Sequence, residues 1–224
     1  MTKSLVTTPV AHSRIGASSM HRWSACPGSV KLSEGIPSRS SEYAEEGTRA
    51  HDLAARMLSG VIPDRTQEDP EMLAAVLVYV NAVVESFRSH RANTILVEHK
   101  FDLSSIHPGL FGTADAVVFN ASENLLQVWD YKHGRGIAVE VEHNEQLMYY
   151  GLGALLSTGF KAKVVELVIV QPRCEHPEGR IRRWRFDSFL LLEFAADLKE
   201  FAMATEKPDA PLVPGDHCRC CPAA

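Results

Sequence analysis

Two apolar segments separated by a short polar stretch constrain the fold most strongly. Residues 111–119 and 125–132 are rich in Val, Phe, Trp and Tyr, and the intervening residues 120–124, Asn-Ala-Ser-Glu-Asn, are typical of a turn. This pattern predicts two antiparallel strands joined as a β-hairpin. A hairpin that closes symmetrically on this turn pairs residues whose numbers sum to about 245.

The predicted register places Asp115 opposite Asp130, and strand alternation puts Lys132 on the same face as Asp130. Two opposed carboxylates repel each other, and a carboxylate buried without a partner beside the apolar residues 125–129 is costly. A divalent cation between the carboxylates removes both problems. We therefore predict a hard-cation site beside a fixed ammonium group, an arrangement suited to phosphodiester hydrolysis. The alternative is an ordinary surface strand that carries Asp and Lys.

The remaining sequence alternates between helical and extended patterns, which predicts an α/β domain. Helices are expected at residues 40–59, 71–90, 143–157 and 187–205, and strands at residues 94–103, 110–119, 125–132, 164–171 and 180–186. We predict one domain over residues 1–224, with a flexible N-terminus at residues 1–20 and a cysteine-containing tether at residues 208–224. The content of 45% hydrophobic and 23% charged residues is ordinary for a globular protein.

A series of short motifs resembles a known family in both content and order. The motifs are residues 23–27 (WSACP), 46–51 (EGTRAH), 112–115 (GTAD), 130–132 (DYK), 144–150 (NEQLMYY), 168–173 (VIVQPR) and 218–221 (CRCC). This series resembles the PD-(D/E)XK nuclease superfamily in its RecB-like exonuclease branch, and within it a phage and prophage group long catalogued as a domain of unknown function. The resemblance implies a restriction-endonuclease-like core, in which helices flank a central mixed sheet, and DNA as the substrate.

The same resemblance implies roles for individual residues. The implied ligands of Mg²⁺ or Mn²⁺ are His51, Asp115, Asp130 and the backbone carbonyl of Tyr131. Lys132 is implied to orient the attacking water or to stabilise charge on the phosphate. Gln146 and Tyr150 are four residues apart on one helix face and are implied to lie near the scissile DNA. An imidazole ligand favours Mn²⁺ over Mg²⁺.

Glu98 forms a second Glu-x-Lys pattern with Lys100. No Gly-x-x-Asp strand precedes it as a hairpin partner, so we prefer Asp130 and Lys132 as the catalytic pair. Two interpretations of Glu98 stay open: it assists the metal site, or it is a surface residue of its strand.

Cysteines near both chain ends form a second candidate site. Cys218 and Cys221 have the spacing with which two thiolates bind one metal or cluster, and Cys26 lies far upstream. The resemblance to CRISPR-associated RecB-like nucleases implies a 4Fe–4S cluster that joins the chain ends. A further cysteine is expected shortly after Cys221, but the sequence stops at Ala224. Three explanations stay open: the chain is truncated, Cys220 substitutes, or the cluster is incomplete or lost. Two alternatives stay open: a structural zinc site that includes His217, and unrelated reduced thiols.

Positive charge is local in this chain. The net charge is −5, from 23 Lys and Arg against 28 Asp and Glu, so any contact with DNA must come from a restricted surface. Candidates for DNA contact cluster around the last two predicted strands: Arg173, Arg180, Arg182, Arg183 and Arg185, with Trp184 as a stacking surface. The alternative is an edge strand whose charges prevent aggregation.

We therefore predict a metal-dependent DNA exonuclease that acts on ends or single strands, and the resemblance places it with phage recombination, replication or repair proteins. The alternative from another class is a degenerate nuclease fold that binds DNA or a replication partner without cutting. The chain lacks a signal-peptide pattern and an uninterrupted apolar run of about 18 residues, which predicts a cytoplasmic protein without a membrane partner.

Overall fold

The computed structural model describes residues 13–36 and 41–224. The helices are α1 (Met20–Trp23), α2 (Gly28–Leu32), α3 (Glu42–Leu58), α4 (Pro70–Ser89), α5 (Glu145–Thr158) and α6 (Phe189–Thr205), and the strands are β1 (Thr94–Asp102), β2 (Phe111–Asn120), β3 (Leu125–Tyr131), β4 (Val164–Val170) and β5 (Ile181–Asp187). Every predicted helix and strand is present, although the first helix start, predicted at residue 40, lies outside the described residues. The short helices α1 and α2 were not predicted.

The five strands form one mixed sheet in the order β1-β2-β3-β4-β5. Neighbouring strands are antiparallel except β3 and β4, which are parallel and connected through α5. The β2–β3 pairing runs from Asn120↔Leu125 to Ala116↔Trp129, so paired numbers sum to 245 and the predicted hairpin register is confirmed. The predicted α/β class, a central mixed sheet flanked by helices, is also confirmed.

Apolar cores lie on both faces of the sheet. One core contains Val128 together with residues of α5 and α6, and the other contains Trp129 together with residues of α3 and α4. These two neighbours enter different cores because successive strand side chains point to opposite faces. All residues of β3 are buried as a result, and Asp130 is only 2% exposed.

Local sequence determines where the helices that carry candidate site residues begin. The Ser41 side chain accepts the backbone N–H of Ala44 at the start of α3, and the Asn144 side chain accepts that of Leu147 at the start of α5. Since Asn144 acts as the cap, α5 begins at Glu145, two residues after the predicted start at His143.

Helix α4 is the longest helix of the described residues. By length and composition alone it could cross a membrane, but buried core helices have the same length and composition. Half of its apolar stretch is buried inside the protein. Its residues Val76, Tyr79 and Val83 pack against Trp129 and Tyr131 of the sheet core. The helix therefore contributes one layer of the fold.

The two ends of the described chain contact each other. Residues 1–12 of the predicted flexible N-terminus lie outside the described residues, whereas Ala17 and Met20 are buried in the core on the α5 face. At the other end, the backbone N–H of Val213 donates to the Sγ of Cys26 at 3.2 Å. The predicted C-terminal tether thus runs alongside α1 and α2.

Candidate metal and catalytic site

Asp115 lies where the β2–β3 ladder ends. Its Oδ2 accepts the backbone N–H of Tyr131 at 2.7 Å, and its Oδ1 is 3.3 Å from the Nδ1 of His51. The last paired residues are Ala116 and Trp129, so the predicted pairing of Asp115 with Asp130 lies one position beyond the ladder. One carboxylate therefore joins the end of β3 to helix α3.

His51, Glu98 and Asp115 converge at the spacing of ligands around a single cation. Each offers one ligand atom, and these atoms lie within 4.8 Å of one another. Among residues 13–36 and 41–224, this is the only group of three His, Cys, Asp or Glu side chains that does so. His51 and Asp115 are predicted ligands, and the structure adds Glu98 to them.

Glu98 departs from regular strand geometry. Its φ is +46°, in the left-handed region that is costly for residues with a side chain. Val97 pairs with Ala116 and His99 with Ala114, so Glu98 lies opposite Asp115. Although part of the residue is exposed, desolvation of its carboxyl group and the nearby Asp115 carboxylate raise the pKa of Glu98 to about 7.

The charges around His51 make this end of the sheet strongly negative. Burial alone would lower the pKa of His51, but the hydrogen bond and charge of Asp115, with the charges of Asp130 and Glu98, outweigh burial and raise it. Three carboxylates therefore act together on one imidazole. Such a negative site favours the binding of a cation.

Asp130 and Lys132 form a buried ion pair at the end of β3. The Nζ of Lys132 is 3.0 Å from the Oδ2 of Asp130, and Oδ2 is buried without a further polar partner among the described residues. Burial raises the pKa of Asp130 against the opposing effect of Lys132. Burial would lower the pKa of Lys132, yet the attraction of Asp130 outweighs it and raises that pKa. Lys132 is therefore a cation at neutral pH.

Helix α5 extends this ion pair into a polar chain. The Nζ of Lys132 donates to the Oε1 of Gln146 at 2.9 Å, and the Nε2 of Gln146 donates to the Tyr150 hydroxyl at 3.3 Å. Burial raises the pKa of Tyr150, so its hydroxyl keeps its proton. The spacing of four residues thus brings Gln146 and Tyr150 to the side of the hairpin that carries Asp130.

Close packing explains why the Gly-Thr-Ala-Asp motif begins with glycine. A Cβ added at Gly112 would lie 2.9 Å from the Cε1 of Tyr150 and 3.5 Å from the Cε1 of Tyr149. Any larger residue would push Tyr150 away from Gln146. Gly112 therefore lets helix α5 approach β2 closely.

The side chains fit a divalent cation, but not all the predicted ligands form one group. Asp130 faces Lys132 and lies outside the group of His51, Glu98 and Asp115. Its unpartnered Oδ2 is a buried acceptor that a cation would satisfy. Carboxylate oxygens with one imidazole nitrogen suit Mn²⁺ and, less well, Mg²⁺. The carbonyl of Tyr131 stays a predicted ligand.

Arg182 belongs to the protein interior, which corrects its predicted contact with DNA, whereas Trp184 is only partly buried. Arg182 is 1% exposed. It donates to three acceptors, the carbonyls of Val139 and Gly179 at 3.1 and 3.0 Å and the Oε1 of Gln171 at 2.7 Å. Trp184 packs against the core formed with α5 and α6. Even-numbered residues of β5 point towards this core, and contact of the partly exposed Trp184 with DNA stays a prediction.

The other predicted arginines differ in how accessible they are. Arg183 donates to the Oε2 of Glu166 at 2.8 Å and lies 4.8 Å from the Trp129 ring centroid, so the sheet holds its guanidinium. Arg180 and Arg185 are exposed, and neither forms an ion pair within the described part of the chain. Arg173 is buried in an ion pair with Glu46. Contact of these arginines with DNA stays a prediction.

The cysteines of the predicted second site lie near both ends of the described chain. Cys26 is buried, Cys218 and Cys221 are partly buried, and all three are free thiols. Together with His217 they do not supply three ligand atoms within 4.8 Å of one another, so a zinc site is not assembled by these described side chains. The structure describes the backbone of Cys220 but not its side chain. The 4Fe–4S cluster stays a prediction.

Comparisons with known proteins give one family and several distant structural similarities. The chain is similar to the crystal structure of an alkaline exonuclease (LHK-Exo) from Laribacter hongkongensis, with 13% identity, 84% of this chain and 90% of that chain covered, and a TM-score of 0.35. LHK-Exo in complex with dAMP matches with 12% identity, coverage of 85% and 90%, and a TM-score of 0.37. The profile of the family described as "Protein of unknown function (DUF2800)" matches residues 12–224. Because this match spans nearly the whole chain, the protein belongs to the DUF2800 family.

Proposed function

We propose that this protein is a metal-dependent nuclease that hydrolyses phosphodiester bonds in DNA. The observation that carries the proposal is the convergence of His51, Glu98 and Asp115 within 4.8 Å at the end of the strand that bears Asp130 and Lys132. A cation site beside a partly buried, charged lysine is an arrangement suited to phosphate chemistry.

His51, Glu98 and Asp115 would hold Mg²⁺ or Mn²⁺, with Asp130 and the Tyr131 carbonyl as further ligands. When bound, the cation lowers the pKa of water and offsets negative charge on the phosphate. In the hydrolysis, the water oxygen forms a bond to phosphorus while the bond from phosphorus to the 3′ oxygen breaks. The 3′ oxygen takes up a proton as it leaves.

Lys132 would donate hydrogen bonds to the phosphate rather than remove a proton from water. In the metal-free structure the attraction of Asp130 outweighs burial and raises the pKa of Lys132, so the ammonium is charged at neutral pH and can donate. The 2.9 Å hydrogen bond to Gln146 fixes the direction of its ammonium group. A fixed donor of this kind stabilises charge that develops in the transition state.

Exonuclease action on ends or single strands, and a place among phage recombination, replication or repair proteins, are the finer parts of the proposal. They rest on the resemblance to the RecB-like branch. The motif residues His51, Asp115, Asp130, Lys132 and Gln146 are all present and lie around one end of the sheet.

The proposal is tested by incubating the protein with end-labelled linear DNA and with circular DNA in Mn²⁺, Mg²⁺ or EDTA. Each DNA is supplied in single- and double-stranded form. Metal-dependent cleavage is expected, and Asp130→Asn and Lys132→Ala should each reduce it at least about 100-fold, because either variant removes an electrostatic contribution of several kcal/mol. Asp197→Asn and Lys199→Ala, on the exposed face of α6, are matched controls that should retain wild-type cleavage. Absence of cleavage in every metal, with DNA binding retained, would favour the alternative of a non-catalytic DNA-binding module.

A further inference from the structure

A cavity of about 500 Å³ opens beside the candidate catalytic site. Its walls include Tyr43 and Glu46 of α3, His133 and Arg135 of the segment after β3, and Arg173 after β4. The wall begins one residue beyond Lys132, and the Nδ1 of His133 is 2.8 Å from the hydroxyl of Tyr131. A molecule in this cavity would therefore lie next to the end of β3.

Arg173 is a buried cation whose hydrogen-bonding capacity is only partly used. Its side chain is 10% exposed, and its Nη1 donates to the Oε1 of Glu46 at 2.9 Å and contacts the Nε2 of His133. Its Nε is buried and makes no hydrogen bond within the described residues, although the Oε1 of Glu71 is 3.4 Å away. A guanidinium with unpaired donors is costly to bury, so an acceptor that completes its bonding would be favoured.

His133 holds Arg173 in place within this wall. Its Nε2 accepts from Arg173, and its Nδ1 on the other side of the ring donates to the Tyr131 hydroxyl. This arrangement holds the guanidinium of Arg173 in one orientation at the cavity.

A second arginine and an exposed aromatic ring complete the cavity. The side chain of Arg135 is 58% exposed and pairs with Glu71 at the rim. Arg135 and Arg173 also line a neighbouring cavity of about 850 Å³ that reaches Arg180, and Glu71 and Glu175 line it as well. Tyr43 is 85% exposed, which leaves the ring free for contact with a ligand. An exposed aromatic ring next to cations is the combination that binds unpaired bases and their phosphates.

We propose that this cavity binds one nucleotide of single-stranded DNA, with its phosphate on Arg135 and Arg173 and its unpaired base on Tyr43. The inference rests on the proposed function, which places the scissile phosphate at Lys132. A volume of about 500 Å³ is within the range of pockets for small ligands and suits one nucleotide rather than a base pair. Bases inside a duplex are stacked on each other, so duplex DNA cannot present a base to Tyr43.

Binding of a fluorescein-labelled oligothymidine in EDTA tests the proposal without any need for cleavage. Tyr43→Ala should weaken binding about tenfold, whereas Tyr43→Phe should bind as the wild type, because stacking needs the ring and not the hydroxyl. Arg135→Ala should weaken binding about three- to tenfold at low salt and reduce the slope of log Kd against log salt by about 0.7. Lys199→Ala, on a helix that lines neither cavity, is the charge-matched control and should leave binding unchanged.

A variant that should raise the affinity for oligothymidine provides a further test. Glu46→Gln removes a negative charge from the cavity while retaining an acceptor for Arg173, so it should tighten oligothymidine binding about two- to fivefold. Wild-type affinity in both Tyr43→Ala and Arg135→Ala would overturn the proposal, as would an equal loss of affinity for duplex DNA. A protein that never cleaves DNA but shows these binding changes would refute the proposed nuclease activity and leave the nucleotide cavity standing.

Discussion

Lys132→Met should destabilise the metal-free protein in a pH-dependent way. The variant keeps most of the side-chain volume and removes the ammonium that lies 3.0 Å from the Oδ2 of Asp130. Asp130 is 2% exposed, and no other Lys or Arg of the described residues lies within ion-pair distance of it. Removal of one partner from a buried ion pair costs about 3–5 kcal/mol, because the remaining charge is left without compensation.

Protonation of Asp130 limits this destabilisation. An uncompensated carboxylate can bind a proton, at a free-energy cost of about 1.4 kcal/mol for each pH unit above its ordinary pKa of about 4. The loss of unfolding free energy should therefore be about 3–4 kcal/mol at pH 7 and only about 1.5 kcal/mol at pH 5. The sign follows from the raised pKa of Asp130 in the folded variant: the stability that is present at low pH is lost as the pH rises towards that pKa.

Urea unfolding in EDTA at pH 5, 6 and 7, followed by far-UV circular dichroism, measures the difference between variant and wild type. For a domain of this size, about 3 kcal/mol also corresponds to a fall in Tm of about 6–12 °C. The double variant Asp130→Asn/Lys132→Met should recover most of the loss, since it removes both charges. A loss that is constant with pH, or that persists in the double variant, would refute the claim that Asp130 carries a buried charge.

Three further predictions concern other parts of the molecule. Glu98→Gln should weaken Mn²⁺ binding about tenfold, measured by isothermal titration calorimetry. Glu98 has a pKa of about 7, so at pH 8 it is charged, and its charge lowers the stability of the metal-free fold. In EDTA at pH 8 the variant should therefore unfold at a urea concentration no lower than that of the wild type. Arg182→Met should lower the free energy of unfolding by about 3 kcal/mol in urea titrations, since one buried and two partly buried hydrogen bonds lose their donor, and should leave oligothymidine affinity unchanged. If a 4Fe–4S cluster joins the chain ends, anaerobically purified protein should contain iron by elemental analysis and Cys26→Ser should lose it, whereas stoichiometric zinc would favour the structural zinc site.

The sequence predicted best those features that depend on neighbouring residues. The turn at residues 120–124 fixes the β2–β3 register locally, and the spacing of Gln146 and Tyr150 fixes their common helix face. Glu98 was harder to assign because the loop of residues 103–110 between β1 and β2 contains no two-residue hairpin turn that would set the register. Once the register is known, Val97↔Ala116 and His99↔Ala114 place Glu98 opposite Asp115 directly.

The arginines of β5 show why composition could not identify the DNA-binding surface. Alternation along the strand separates Arg182 from Arg183 and Arg185, but helices cover both faces of the sheet, so the pattern does not reveal which arginines are buried. Arg182 is held by acceptors from three separate segments, which no local pattern indicates. The cavity at Arg173 also joins residues from distant parts of the chain, and its signal is the buried, partly unpaired guanidinium.

Attachment of helix α3, which carries His51, is a separate requirement for catalysis beyond folding of the sheet. Of its 17 residues only Ala50, Leu53 and Ala54 are buried; Met57 and Leu58 pack partly buried against the same core, and Glu46 and His51 make polar contacts. Because α4 buries more residues, α3 should detach at a smaller free-energy cost than α4, and its detachment would expose part of the core that the two helices share. Gentle heating should then abolish metal binding before most secondary structure is lost. A cation bound to His51 should stabilise the attachment of α3 to the sheet.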